Sequence, residues 1–177
     1  MRWRFGSIAV AVVVAVLTVA GCAQTVSGSA QRELVTAPDP DRNYGYTENR
    51  CGLLDDDTVG EILAADDVTR PYSGAVCQYV LYRGEDPVDV TFSWFDTGSL
   101  ERERDLAVAR GAEVADLDVE RHQGFTARRD ITGAACSATA AAGTGVLSWW
   151  VQYRGTYTGD PCADAEKLLA ATLQSDL

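Results

Sequence analysis

From Val88 to Trp94 the apolar side chains Val88, Val90, Phe92 and Trp94 alternate with Asp89, Thr91 and Ser93, the two-residue period of a half-buried strand. The apolar, aromatic stretch 75–83 before it reads as a second strand, and Gly84-Glu85-Asp86-Pro87 between them as a turn. Further on, 134–142 and 145–154 predict a hairpin around Gly143-Thr144-Gly145. In its second arm Leu147, Trp149, Val151 and Tyr153 share one face, while Val146, Ser148, Trp150, Gln152 and Arg154 share the other. Residues 116–121 and 124–131 add two shorter strands. Three segments have a helical period instead. Residues 55–65 place Val59, Ile62 and Leu63 on one face, with Asp55 as N-cap or, alternatively, Thr58 and Glu61 as a capping box. Residues 99–112 form a charged helix expected to turn Leu100, Ala107 and Val108 inward. The last helix has Asp160 as its cap, Pro161 at its first position and a face of Ala165, Leu168, Leu169, Thr172 and Leu173. Strands joined by short turns and interspersed with helices predict an α+β domain: an antiparallel sheet with about three helices packed on one face.

The N-terminus follows different rules. Arg2 and Arg4 precede an apolar run, Phe5 to Ala20, of 16 residues. As a helix it would span about 24 Å at ~1.5 Å per residue, short of the roughly 20 residues a stable membrane span needs. A signal segment over 1–21 is the better reading. The run ends in Val19-Ala20-Gly21-Cys22, which resembles the bacterial lipobox. The resemblance implies a thioether-linked diacylglyceryl group on Cys22, cleavage between Gly21 and Cys22, and acylation of the new amine. One acyl chain holds a protein to a bilayer marginally, and two or more hold it durably, at ~0.8 kcal/mol per buried methylene. Residues 22–50 read as the lipidated cysteine and a flexible tether, because Thr25 to Ala30 is small and polar and Pro38 and Pro40 keep the chain extended. The folded domain is expected over 51–177.

Four further cysteines remain, Cys51, Cys77, Cys136 and Cys162, with no C-x-x-C spacing. An even count outside the cytoplasm predicts two disulfides, and the missing C-x-x-C argues against a zinc knuckle or a thioredoxin-like motif. Of the three connectivities, Cys51–Cys77 with Cys136–Cys162 is favoured, since each joins consecutive elements over 26 positions.

Charge and candidate chemistry narrow the function. The chain of 177 residues has 15 Lys and Arg against 26 Asp and Glu, a net charge of −11; losing 1–21 removes two of the arginines and no acid, leaving −13. Nucleic acid is therefore an unsuitable partner, and anionic lipid headgroups should repel the body of the domain. Asp55-Asp56-Asp57 and Gly60 mimic the start of an EF-hand loop, but Val59 occupies a ligand position, so an acidic first helical turn is the better account and no metal or cofactor is expected. His122 is the single histidine and the one candidate histidine base, expected exposed at a strand end or turn, and no G-x-S-x-G elbow or H-E-x-x-H pair accompanies it. Gly143 to Ser148 resembles a dinucleotide loop only superficially, because it lies in a predicted hairpin. Trp150 stands out: an aromatic among Ser148, Gln152 and Arg154 on the polar face of its strand suits contact with a ligand or partner, and Arg154 joins it as a candidate.

The mature region resembles the actinobacterial lipoproteins of the LprB and LprC type, grouped as a domain of unknown function. The likeness rests on the lipobox and spacer, Cys51-Gly52-Leu53-Leu54 before a helix, Cys77 followed by an aromatic strand, a late Cys136, and Asp160-Pro161-Cys162 before an Ala/Leu-rich helix. Where such proteins commonly show Cys-x-Trp, this chain has Cys77-Gln78-Tyr79. The resemblance implies an envelope-anchored lipoprotein and brings no catalytic residues. The expectation is a non-enzymatic module on the outer face of the cytoplasmic membrane that binds a small ligand or an envelope protein, held to the bilayer through Cys22. A hydrolase or transferase using His122 with carboxylates, or a purely structural lipoprotein, are the alternatives.

Overall fold

Seven strands form one sheet in the order β1-β2-β3-β7-β6-β5-β4, every neighbouring pair antiparallel. The computed structural model describes residues 37–155 and 158–175; the signal segment, Cys22 and the first part of the tether lie outside the described residues. The elements are α1 (Asp56–Ile62), β1 (Asp67–Tyr72), β2 (Val76–Arg83), β3 (Asp86–Phe95), α2 (Leu100–Ala109), β4 (Glu113–Val119), β5 (His122–Arg128), β6 (Ala135–Ala142), β7 (Gly145–Tyr153) and α3 (Pro161–Gln174). Two meanders, β1 to β3 and β4 to β7, are joined where β3 lies against β7, paired from Val88↔Tyr153 to Phe95↔Val146. The α+β class, the antiparallel sheet and both disulfides, Cys51–Cys77 and Cys136–Cys162, are as expected.

The alternation in β3 and β7 produces the core. Phe92 and Trp149 are register partners on the inner face, their ring centroids 5.0 Å apart, and Tyr79 stands 6.0 Å from Trp149. α3 covers this face with Ala165, Leu168, Leu169 and Leu173, and Thr172 Oγ1 accepts a 2.9 Å hydrogen bond from the Trp149 indole. α1 covers the β1 end, where Gly60 lies so close to Val68 that a Cβ there would stand 2.7 Å from a valine methyl. The cap of α1 is Asp55, which accepts from the Thr58 amide at 2.8 Å, so the capping-box alternative is not used.

Four expectations need correction. The helices do not share one face: α2 lies on the outer face, where the Arg104 guanidinium stacks 5.0 Å from the Phe125 ring. Its Val108 points to solvent at 57% exposure, and no residue of α2 is fully buried. β1 was not anticipated, because its short, polar sequence contains Pro71, which only an edge strand tolerates. The strand expected over 116–121 runs over 113–119, and Glu120 and Arg121 make the turn with positive φ, a conformation signalled in sequence by Asn-Gly rather than Glu-Arg. Finally, residues 37–50 are not tether. Tyr44 is fully buried, Arg42 donates to the Leu173 carbonyl at 3.2 Å, and buried Arg70 of β1 donates to the Asn49 carbonyl at 2.8 Å and pairs with Asp56 at 3.0 Å. The prolines do keep this segment extended, and that lets it lie across the domain, fastened by side chains distant in sequence.

Candidate functional site

The strand alternation that buries Trp149 turns Trp150 to the outer face, where it shares the surface with Ser93, Ser148, Thr139 and Ser137. α2 spans this surface without sealing it. A cleft of about 180 Å³ remains between them, floored by those four hydroxyls, Phe125 and Trp150. Glu103 and Leu106 of α2 and its C-cap residue Arg110 form the opposite wall. Thr139 and Ser148 hydroxyls bond each other at 2.8 Å. Why the helix fails to close is legible in its residues: an interior-facing helix carries a continuous apolar stripe, whereas α2 reads Leu-Glu-Arg-Glu-Arg-Asp-Leu-Ala-Val-Ala. The floor likewise mixes hydroxyls with Phe95, Phe125, Val146 and Trp150, where a packed interface would be aliphatic throughout.

Trp150 is half-buried in a cleft open to solvent. Arg154 does not join it: its guanidinium forks onto the Asp89 carboxylate across the β3–β7 pair, outside the cleft lining. The α2 wall was missed by sequence reading, since nothing local places Glu103 and Arg110 opposite a tryptophan 40 or more positions away. Ser148 and Ser93 were visible as the polar partners in an alternating strand.

His122 is not exposed. It is 4% accessible at the start of β5, its Nδ1 2.8 Å from the Glu120 carbonyl and its Nε2 3.0 Å from Asp39 Oδ1. Asp39 also accepts from the Tyr44 hydroxyl and, at 3.1 Å, from the Gly143 amide. Burial pushes the Asp39 carboxyl up, but these hydrogen bonds from Tyr44, His122 and Gly143 outweigh it and hold it below the ordinary value. Asp39 therefore ties the N-terminal segment to the β4–β5 turn through the ring and to the β6–β7 turn through Gly143, and both ring nitrogens are occupied.

A second buried polar cluster fastens α3. Arg83 and Asp164, with side chains 10% and 7% exposed, pair at 2.7 Å. Tyr153 donates to the same carboxylate at 2.6 Å, Lys167 at 3.0 Å, and Arg83 Nε donates to the Leu63 carbonyl at 2.6 Å. Burial raises the Asp164 carboxyl, and the hydrogen bonds from Tyr153, Arg83 and Lys167 bring it below the ordinary value. Asp39 and Asp164 therefore bind protons more weakly folded than unfolded. Their stabilisation is complete above the unfolded carboxylate value of about 3.9 and is lost as pH falls through the lower folded values. Urea midpoints measured between about pH 5 and pH 2 should fall with acidification, and the fall should be shallower in Asp164→Asn. An equally steep fall in that variant would remove Asp164 from the account.

A disulfide-stapled α+β domain with a solvent-open cleft on the outer face of its sheet is the class these features define. Residues 17–175 match the family described as "Protein of unknown function (DUF3558)", and the chain belongs to that family. It is 24% identical over 155 residues to a Mycobacterium leprae protein named "Putative lipoprotein LprB", covering 85% of this chain and 82% of that one. A protein of the same name from Mycobacterium tuberculosis H37Rv is 24% identical over 168 residues, 92% of this chain and 91% of its own. No solved structure matches. Among the described residues no helix is long and apolar enough to cross a membrane.

Proposed function

We propose that this protein is an envelope lipoprotein, held to the outer face of the cytoplasmic membrane by acylated Cys22, whose domain binds a small ligand in the cleft between α2 and the sheet. The observation that carries the reading is the cleft itself: a helix with no buried residue lying over Trp150 and a floor of hydroxyls. A half-buried aromatic ring supplies contact area at low cost in side-chain entropy, and the hydroxyls supply orientation. The lipid raises the local concentration of the domain near partners in the same membrane, which strengthens weak binding without further contacts. The family relatives are named lipoproteins, and the lipobox ending in Cys22 is the feature that agrees with those names. A non-enzymatic role is favoured over hydrolysis by His122, because a general base needs a free nitrogen within reach of its substrate and both nitrogens of this buried ring are engaged.

Two measurements test the two halves. Cys22→Ala should release the protein from the membrane fraction and eliminate the acylated N-terminal peptide; an unchanged acylated mass would end the anchoring claim. For the cleft, native mass spectrometry of the protein released from its own membranes should show a non-covalent adduct. Trp150→Ala should lose that adduct while keeping its melting temperature, since a half-buried ring at an open cleft supports little of the core. An adduct retained in full by the variant would place binding elsewhere.

A further inference from the structure

Arg110 lines the Trp150 cleft and also a neighbouring cavity of about 310 Å³ formed where the α2–β4 turn meets the loop after β5. Arg128, Arg129, Glu113, Asp130 and Ile131 complete that second cavity. Its charges are not equally committed. Arg128 is paired with Asp130 at 3.0 Å and with Asp160 at 3.3 Å. Asp130 additionally accepts from the Ala135 amide at 2.9 Å. Arg129 instead donates to the backbone carbonyl of Arg110 at 3.3 Å, which holds the two residues side by side. Among the described residues neither the Arg110 nor the Arg129 guanidinium is paired with a carboxylate, in a chain where 26 acidic residues outnumber 15 basic ones. Arg110 also offsets the carbonyl end of α2, which accounts for one arginine there but not for Arg129 beside it.

We infer that Arg110 and Arg129 form an oxyanion subsite that takes the phosphate group of the ligand whose body occupies the Trp150 cleft. This rests on the cleft reading above and specifies its ligand. The guanidinium fork matches phosphate geometry through paired N–H donors. Within the cleft itself Glu103 and Arg110 are of opposite sign and the Thr139 and Ser148 hydroxyls bond each other, which leaves Ser93 and Ser137 for a polar ligand, whereas an acyl chain would keep water from them. An uncharged, hydroxylated ring satisfies them and lays a face on Trp150. The cleft, at about 180 Å³, is smaller than the ~300–1,000 Å³ of drug-sized sites and suits a single ring. The ligand class is therefore a phosphorylated polyhydroxy compound, either soluble or presented as a lipid headgroup.

The test uses the protein isolated from membranes and reconstituted in phosphatidylcholine nanodiscs, titrated with glucose, inorganic phosphate and glucose 6-phosphate. Glucose 6-phosphate should bind at least about tenfold more tightly than either fragment, a difference of ~1.4 kcal/mol. Arg110→Gln, which keeps the backbone carbonyl that Arg129 uses, should erase that advantage, and Arg110→Lys should restore part of it. Trp150→Ala should weaken glucose and glucose 6-phosphate alike and leave inorganic phosphate unchanged. Repeating the titration in phosphatidylcholine nanodiscs doped with phosphatidylinositol or, at the same charge, with phosphatidylglycerol separates the sources: weaker glucose 6-phosphate binding with phosphatidylinositol than with phosphatidylglycerol assigns the subsite to a lipid headgroup, and equal binding assigns it to a soluble ligand. Glucose binding as tightly as its phosphate, or an Arg110→Gln variant indistinguishable from wild type, would overturn the subsite while the cleft stands. Glucose and glucose 6-phosphate both bound by Trp150→Ala as tightly as by the wild type would overturn the shared site and the cleft with it.

Discussion

Asp164→Ala should lower the unfolding free energy by about 3–5 kcal/mol, because it leaves the buried Arg83 guanidinium without its counter-charge. The variant also removes the acceptor of the Tyr153 hydroxyl, which is itself buried. Both losses fall at one junction, where β2, the end of α1 and the first turns of α3 meet. At this size each kcal/mol corresponds to about 2–4 °C of melting temperature, so thermal and urea unfolding both resolve the effect. The pair's own worth is a separate quantity. Replacing both partners by apolar side chains of similar volume should cost far less than Asp164→Ala, since no unpaired charge remains. A double-mutant cycle between Arg83 and Asp164 should show strong coupling. Purely additive effects would mean that the cluster stabilises through packing alone.

The second large effect is at Cys136 and Cys162. Replacing both by serine should cost roughly 3.5 kcal/mol on the chain-entropy model for a loop of this length. The bridge joins β6 to the first turn of α3, which Asp160 caps by accepting from the Cys162 amide at 3.0 Å. The Cys51–Cys77 bridge closes a loop of the same 26 positions, so the same model predicts an equal loss there. The folded state distinguishes them. The Cys51 loop keeps Arg70 as a second fastening, and its Gly52, at positive φ, sits where a Cβ would lie 2.6 Å from the Phe92 ring. Chain-entropy alone gives matching urea midpoints for the two double variants, and any difference measures what each bridge does within the fold. Thiol titration of the unreduced, denatured domain should find no reactive thiol at these four positions; four would sink both bridges.

Much of the architecture was legible because it depends on local periodicity. The Val88–Trp94 alternation and the Leu147–Tyr153 alternation are the two strands that meet at the centre of the sheet, and Asp160-Pro161 marks the start of α3 as read. Equal spacing of the cysteines was enough to favour the right connectivity. The outer-face position of Trp150 follows from a period of two. What sequence reading misplaced has a common cause. His122 looked exposed because its partner, Asp39, lies 83 positions away. Segment 37–50 looked like tether because its fastenings reach Leu173, Gly143 and Arg70 rather than its neighbours. Arg154 looked available for a ligand because Asp89, across the sheet, was not visible as its partner.

The amino-acid order alone determined the three helices and the central strands, which side of those strands is apolar, which cysteine pairing is favoured, and that the N-terminus carries a lipobox-like signal, though not the edge strand β1; these depend on backbone preferences and spacing within a few residues or on simple loop lengths. Tertiary structure decided that α2 crosses to the outer face and stays unsealed over Trp150, that Arg110 stands between two cavities, and that Asp39 and Asp164 are held ionised by groups from other elements. Those outcomes turn on side chains brought together only when the two meanders join along β3 and β7, so no local pattern encodes them.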